Sequence, residues 1–182
     1  APGGPCLSLD TRSAWVAELG LDAGAHAVND ISALGDAAMA ATVARFGAGL
    51  VLMHMQGTPE TMQRDPRYDD VVTEVARFLA ERLERTRAAG IPDDRVALDP
   101  GIGFGKRVEH NLLILRSLDR FVALGQPLLV GASRKRFIGT VLGTDDPKRR
   151  DAGSLACAVI SALAGASIIR THDVRAAVEA IR

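Results

Sequence analysis

The chain has 182 residues, 47% of them hydrophobic and 24% charged, and its 22 Lys plus Arg balance 22 Asp plus Glu. This excludes a disordered tail, which needs low hydrophobicity and high net charge. It also lacks the basic excess of a dedicated nucleic-acid binder. No run reaches the ~18 consecutive apolar residues of a membrane span, so neither nucleic acid nor membrane is expected as a partner. The two cysteines, Cys6 and Cys157, lie far apart. They are expected reduced and largely buried, as in a cytoplasmic protein. The first residue is Ala1, and Ala1–Pro5 runs almost directly into strand-like sequence. A single domain over 1–182 is expected, with its N-terminal part incomplete.

One pattern then repeats in chain order: a short apolar run ends in polar residues, and a helical segment follows. Leu7–Leu9 ends at Asp10-Thr11, before a helix over Ala14–Ala23 that stops at Gly24. Ala27-Val28 ends at Asn29-Asp30, before a helix over Ala37–Phe46 with Asp36 as its cap. Leu50–Leu52 ends at Met53-His54-Met55; a long polar loop, Gln56–Asp69, precedes a helix over Asp70–Ala89. Long loops of this kind are often mobile lids. Val96–Leu98 ends at Asp99-Pro100, before one helix from about Glu109 to Leu124. Leu128–Val130 ends at Gly131–Lys135, and the next helix covers Ala152–Ala164. Ser167–Ile169 ends at Arg170-Thr171-His172, with a last helix from about Val174.

Continuous apolar strands between helices indicate a parallel sheet covered on both faces. In an open doubly wound sheet, ligand groups concentrate at one switch point; in a (β/α)₈ barrel every strand end converges on one mouth. Reactive groups end all six strands here, which favours the barrel. A complete barrel has eight strands and about 250 residues, so six βα units fall two short.

The densest motif is Asp99-Pro100-Gly101-Ile102-Gly103-Phe104-Gly105-Lys106. It fails the spacing of both the phosphate-binding P-loop and the dinucleotide fingerprint. It offers a strand-end carboxylate and a glycine backbone able to pass close to a ligand. A carboxylate there accepts two parallel N–H bonds from a planar guanidine-like edge, or else caps the next turn. Asp10, Asn29 and Asp99 together form an acceptor floor suited to a heterocycle rich in N–H donors. Asn29-Asp30 also reads as a simple turn start. Lys135, Arg170 and His172 form a cationic rim suited to an anion, whereas Arg134 and Arg136 read as solvated surface charges. His54 reads as a hydrogen-bonded core histidine, and Met53 as a flat polarizable wall. The histidines show no metal-site spacing.

These segments resemble dihydropteroate synthases in order and in kind: Ser8–Thr11, Asn29–Ser32, Met53–Pro59, Asp99–Lys106, Gly131–Lys135 and Arg170–Val174. The resemblance implies a (β/α)₈ barrel of which this chain supplies strands three to eight. It implies a folate-pathway transferase that joins 6-hydroxymethyl-7,8-dihydropterin diphosphate to p-aminobenzoate, releases pyrophosphate and is a sulfonamide target. It assigns Asp10, Asp99, Lys135 and Arg170 to catalysis. Asp99 and Asn29 hold the pterin edge; Asp10 lies beneath the pterin, Met53 and Lys135 line the ring, Arg170 also flanks it, and Gly131 is a further substrate-binding position. Phe104 and Ser133 lie near p-aminobenzoate, and Arg170 and His172 near pyrophosphate. Mg²⁺ is implied as cofactor, with its ligand in the first strand, which has no counterpart here; a homodimer is implied for the complete protein. Two alternatives stay open: a methyltetrahydrofolate-type methyltransferase domain, and an inactive remnant that binds a pterin or a protein.

Overall fold

The computed structural model describes residues 4–182. It contains six strands: β1 Ser8–Asp10, β2 Ala27–Asp30, β3 Gly49–Met53, β4 Val96–Asp99, β5 Leu129–Val130 and β6 Ile168–Ile169. They alternate with α1 Ala14–Asp22, α2 Met39–Phe46, α3 Val71–Ala88, α4 Val108–Arg116, α5 Leu118–Val122, α6 Arg136–Leu142, α7 Asp151–Leu163 and α8 Val174–Ile181.

Strand order decides between the two architectures. β1 to β4 pair in parallel and in chain order, and β5 pairs in parallel with β6. A parallel bridge between Leu98 and Leu128 joins the two groups. The order never reverses, so there is no switch point of the doubly wound kind. The array is an arc of a barrel, and among the described residues β1 and β6 each pair on one side only.

The buried apolar residues fall into two clusters on opposite faces of this arc, as alternating strand side chains require. Val28, Leu50, Leu52, Val96, Leu98, Leu128 and Val130 face the helices and pack with Val75, Leu79, Ile114 and Phe121. Val51, Ala97 and Leu129 form a separate cluster on the inner face. Asn29 is the register partner of Val51, and Asp10 of Asn29, so both belong to the inner set.

Four sequence expectations need correction. The helix expected over Glu109–Leu124 is broken at Ser117, whose φ of −119° and ψ of 31° are not helical. The break turns Leu118 and Phe121 fully into the core. Asp36 does not cap α2; its carboxylate accepts from the Ala14 N–H of α1 at 2.9 Å and from Ala38 at 3.0 Å. These two bonds hold its pKa below the usual carboxylate value. Helix α6 was unforeseen because Gly139 lowers its helical signal. A Cβ at Gly139 would stand 2.5 Å from both Arg150 Nε and Thr144 O. Of the two cysteines, only Cys157 is buried; Cys6 is exposed.

Candidate functional site

The carboxyl ends of the strands converge on a cavity of about 740 Å³. Asp10 comes from β1, Met53 from β3, Asp99 from β4, Gly131, Ser133 and Lys135 from the turn after β5, and Arg170 and His172 from the segment after β6. Phe104 lines it from the turn after β4. Asn29 is the one expected site residue below the lining: its amide donates to Asp10 Oδ1 at 2.9 Å. Its carbonyl oxygen is buried without a partner. An orphaned buried acceptor costs about 1–3 kcal/mol, and a ligand N–H would satisfy it.

Asp99 is buried and sits level with Met53 across the β3–β4 pair. Its Oδ1 accepts the Gly101 N–H at 2.7 Å, so the turn-capping reading holds for one oxygen. The other oxygen accepts no hydrogen bond from the described residues. Burial pushes the Asp99 pKa up, while the Gly101 amide and the charges of Lys135, Lys106 and Arg170 oppose that rise.

Lys135 is not a rim residue. Its Nζ donates to Ile102 O at 2.6 Å and lies 3.9 Å over the Phe104 ring. Burial and the neighbouring Arg170 pull its pKa down to about 8, against the attraction of Asp99. Arg170 pairs with Asp10 Oδ2 at 2.5 Å, joining the ends of the two edge strands. The pair is half exposed, and such pairs contribute at most about 1 kcal/mol. Ser133 Oγ lies 2.9 Å from His172 Nδ1 and accepts the His172 backbone N–H at 3.2 Å.

The glycine turn packs tightly against the chain itself. Gly101 (φ 69°) would place a Cβ 1.9 Å from His54 O, and Gly105 (φ 60°) one 2.5 Å from Gln56 O. The backbone therefore passes close to the loop after β3. Lys106 fastens this approach from beneath. Its Nζ reaches His54 Nδ1 at 2.9 Å, Gly101 O at 3.0 Å and Phe104 O at 3.0 Å. His54 O lies at 3.4 Å as well, so the three ammonium donors share four acceptors. Burial pulls the Lys106 pKa down to about 7. Burial, with Lys106 beside it, lowers that of His54 to about 3. His54 is the core histidine expected, edge-on to Phe78.

The loop expected as a lid is tied down. Gln56 exchanges two hydrogen bonds with the Arg67 backbone. Tyr68 donates to Gly105 O at 2.7 Å and Gln63 to Gly103 O at 3.0 Å. Arg107 pairs with Asp65. Arg136 is exposed as expected, but Arg134 is not a solvated charge: it pairs with Asp151 at 2.7 Å. Sequence reasoning missed Lys106, whose only signal is that it closes the glycine motif. It also missed Thr11, Arg12, Ile31 and Thr171, each adjacent or close in sequence to an expected site residue.

The arc and its pocket form a strand-end site of the barrel type, lined by Asp10, Met53, Asp99, Lys135 and Arg170. The chain belongs to the pterin binding enzyme family, which it matches over residues 4–172. It is 47% identical over 176 residues to a dihydropteroate synthase of Escherichia coli (strain K12), covering 97% of this chain and 62% of that relative. The Yersinia pestis dihydropteroate synthase, solved with a sulfonamide drug, superposes with a TM-score of 0.94 at 46% identity, covering 98% of this chain and 64% of that one. The Xanthomonas albilineans enzyme, solved with 7,8-dihydropteroate, gives 0.90 at 43% identity, covering 96% and 64%. The chain thus spans less than two thirds of the length of these relatives.

Proposed function

We propose that this chain carries the pterin-binding and condensing chemistry of a dihydropteroate synthase. The observation that carries the reading is the floor: Asp99 lines the pocket with one oxygen that accepts no hydrogen bond from the described residues, and the unpartnered Asn29 carbonyl is buried below that lining. An aminopyrimidinone edge supplies matching N–H donors. Met53 and Lys135 flank the ring, and Asp10 lies beneath it. The pyrophosphate lies toward Arg170 and His172. Because the Asp10–Arg170 pair is half exposed, Arg170 trades it for the phosphate at little cost. Phe104 and Ser133 border the place of p-aminobenzoate, the position from which a sulfonamide competes.

The reaction is a substitution at the pterin methylene. The C–O bond to pyrophosphate breaks and takes its electron pair with the leaving group. The amine of p-aminobenzoate forms the C–N bond and then loses a proton. Asp10 and Asp99 favour positive charge spreading into the dihydropterin, and Arg170 and His172 favour the departing anion. Among the described residues no three His, Cys, Asp or Glu side chains converge on a metal position. The Mg²⁺ implied by the family resemblance finds no such ligand set among the described residues. A cytoplasmic location is part of the same reading; among the described residues no helix is long and apolar enough to cross a membrane. A homodimer through α7 and α8 is supported by exposed Ile160, Leu163, Val174 and Val178 on those helices.

The test is pyrophosphate release. Release that requires both the pterin diphosphate and p-aminobenzoate supports the synthase. Pterin binding with no release in the presence of both supports a binding remnant. Absence of pterin binding by the folded chain overturns the reading.

A further inference from the structure

The turn after β5 contains an unusual backbone. Residues 132–135 close with a Lys135 N–H bond to Ala132 O at 3.2 Å, and the third residue, Arg134, has a φ of 57°. A left-handed third position normally takes Gly. Arg134 is kept there by polar contacts from one segment. Its N–H donates to Ser154 Oγ at 2.9 Å, and its carbonyl accepts from Arg150 Nη1 at 3.0 Å. Its guanidinium pairs with both oxygens of Asp151 at 2.7 and 3.0 Å. Ser154 and Arg150 are themselves buried, and Ser154 Oγ donates to Arg150 O at 2.7 Å. The residues on either side, Ser133 and Lys135, both line the pocket.

We propose that Arg134 is a positioning residue: clamped in its left-handed turn by Arg150, Asp151 and Ser154, it aims Ser133 and Lys135 together into the pocket. The clamp leaves the substrate untouched and acts through those two neighbours. Its relevance to binding rests on the pterin reading above; its effect on Lys135 does not.

Lys135 reports on the clamp directly. Its ammonium faces Asp99 at the end of β4, Arg170 after β6 and Lys106 in the glycine turn. Arg107, Glu109 and Arg136 line the cleft behind it. Seated among these, it titrates well below a free lysine. The sequence holds only three lysines, Lys106, Lys135 and Lys148, so NMR of lysine-labelled protein resolves each, with Lys135→Met as the assignment.

The experiment titrates Lys135 in the unliganded 182-residue chain and in Arg134→Gly and Arg134→Val. Glycine accepts the left-handed turn and keeps both backbone clamps, whereas β-branched valine resists it. Lys135 is expected to stay near its native value in Arg134→Gly and to rise by about one pH unit or more in Arg134→Val. Lowered thermal stability alone would leave the Lys135 titration of the folded protein in place. A native Lys135 titration in folded Arg134→Val, or an equal shift in both variants, overturns the proposal. If the valine variant does not fold, Asp151→Asn decides: the proposal requires a smaller rise, and no rise refutes it. In calorimetry, pterin affinity is expected to fall about tenfold or more in Arg134→Val and within about threefold in Arg134→Gly. A wild-type chain that binds no pterin refutes the functional reading, while the Lys135 titration still decides the positioning role.

Discussion

Replacing Asp99 by Asn is expected to abolish pterin binding while leaving the chain folded. Asn retains an oxygen for the Gly101 N–H, the one bond Asp99 receives from the turn. It places an NH₂ where the proposed binding mode has the second carboxylate oxygen accept from the pterin edge, so donor faces donor. It also removes the buried negative charge that faces Lys135, Lys106 and Arg170. Losing one charge-assisted bond of about 2 kcal/mol, with about 2 kcal/mol more for two buried donors left facing each other, weakens binding roughly 1,000-fold. Calorimetry with the pterin diphosphate measures this, with circular dichroism as the folding control. Unchanged affinity would remove Asp99 from the site.

Lys106→Met carries the second large effect, this time on stability. Methionine fills the space but leaves Gly101 O, Phe104 O and His54 Nδ1 without their donor. The cost is set at about 3 kcal/mol, three weakly solvated acceptors less the desolvation of the ammonium. For a chain of this size that lowers the melting midpoint by about 6–12 °C. The pH dependence has a defined sign. Lys106 titrates near 7 in the fold and near 10.4 when unfolded. Between those values the unfolded chain binds more protons, so wild-type stability rises with pH across that window. Lys135 adds a smaller rise of the same sign above about 8. The methionine variant is expected to lose the Lys106 part and keep the Lys135 part. Melting curves from pH 6 to 10 check this, and a rise identical to wild type would show that Lys106 is not titrating in the folded chain.

The strands and the pocket were legible because their signals are local. Continuous apolar runs marked all six strands, and the polar residue ending each run pointed to the mouth. Asp10, Met53, Asp99, Lys135 and Arg170 each needed only that position to be found. Features made by contacts distant in sequence were hidden. Lys106 acquires its role only because the loop after β3 folds against the glycine turn, which presents His54 52 residues away. Arg134 looked like any surface arginine, since nothing in Ser133-Arg134-Lys135 reveals that Asp151 and Ser154 reach back to it. The break at Ser117 is equally tertiary: the sequence carries a helical pattern through it, and burial of Leu118 and Phe121 overrides that pattern. Cys6 was misjudged because a general preference of cysteine for the interior says nothing about a residue beside an edge strand.

The proposed binding mode has one acceptor floor and one cationic side holding a pterin diphosphate at the strand ends. A crystal structure of the chain with 6-hydroxymethyl-7,8-dihydropterin diphosphate tests it most directly. The expected structure has the ring between Met53 and Lys135, its amino edge within hydrogen-bond reach of Asp99 and the Asn29 carbonyl, and its phosphates toward Arg170 and His172. A ligand bound elsewhere, or with its amino edge turned away from Asp99 and Asn29, would contradict it.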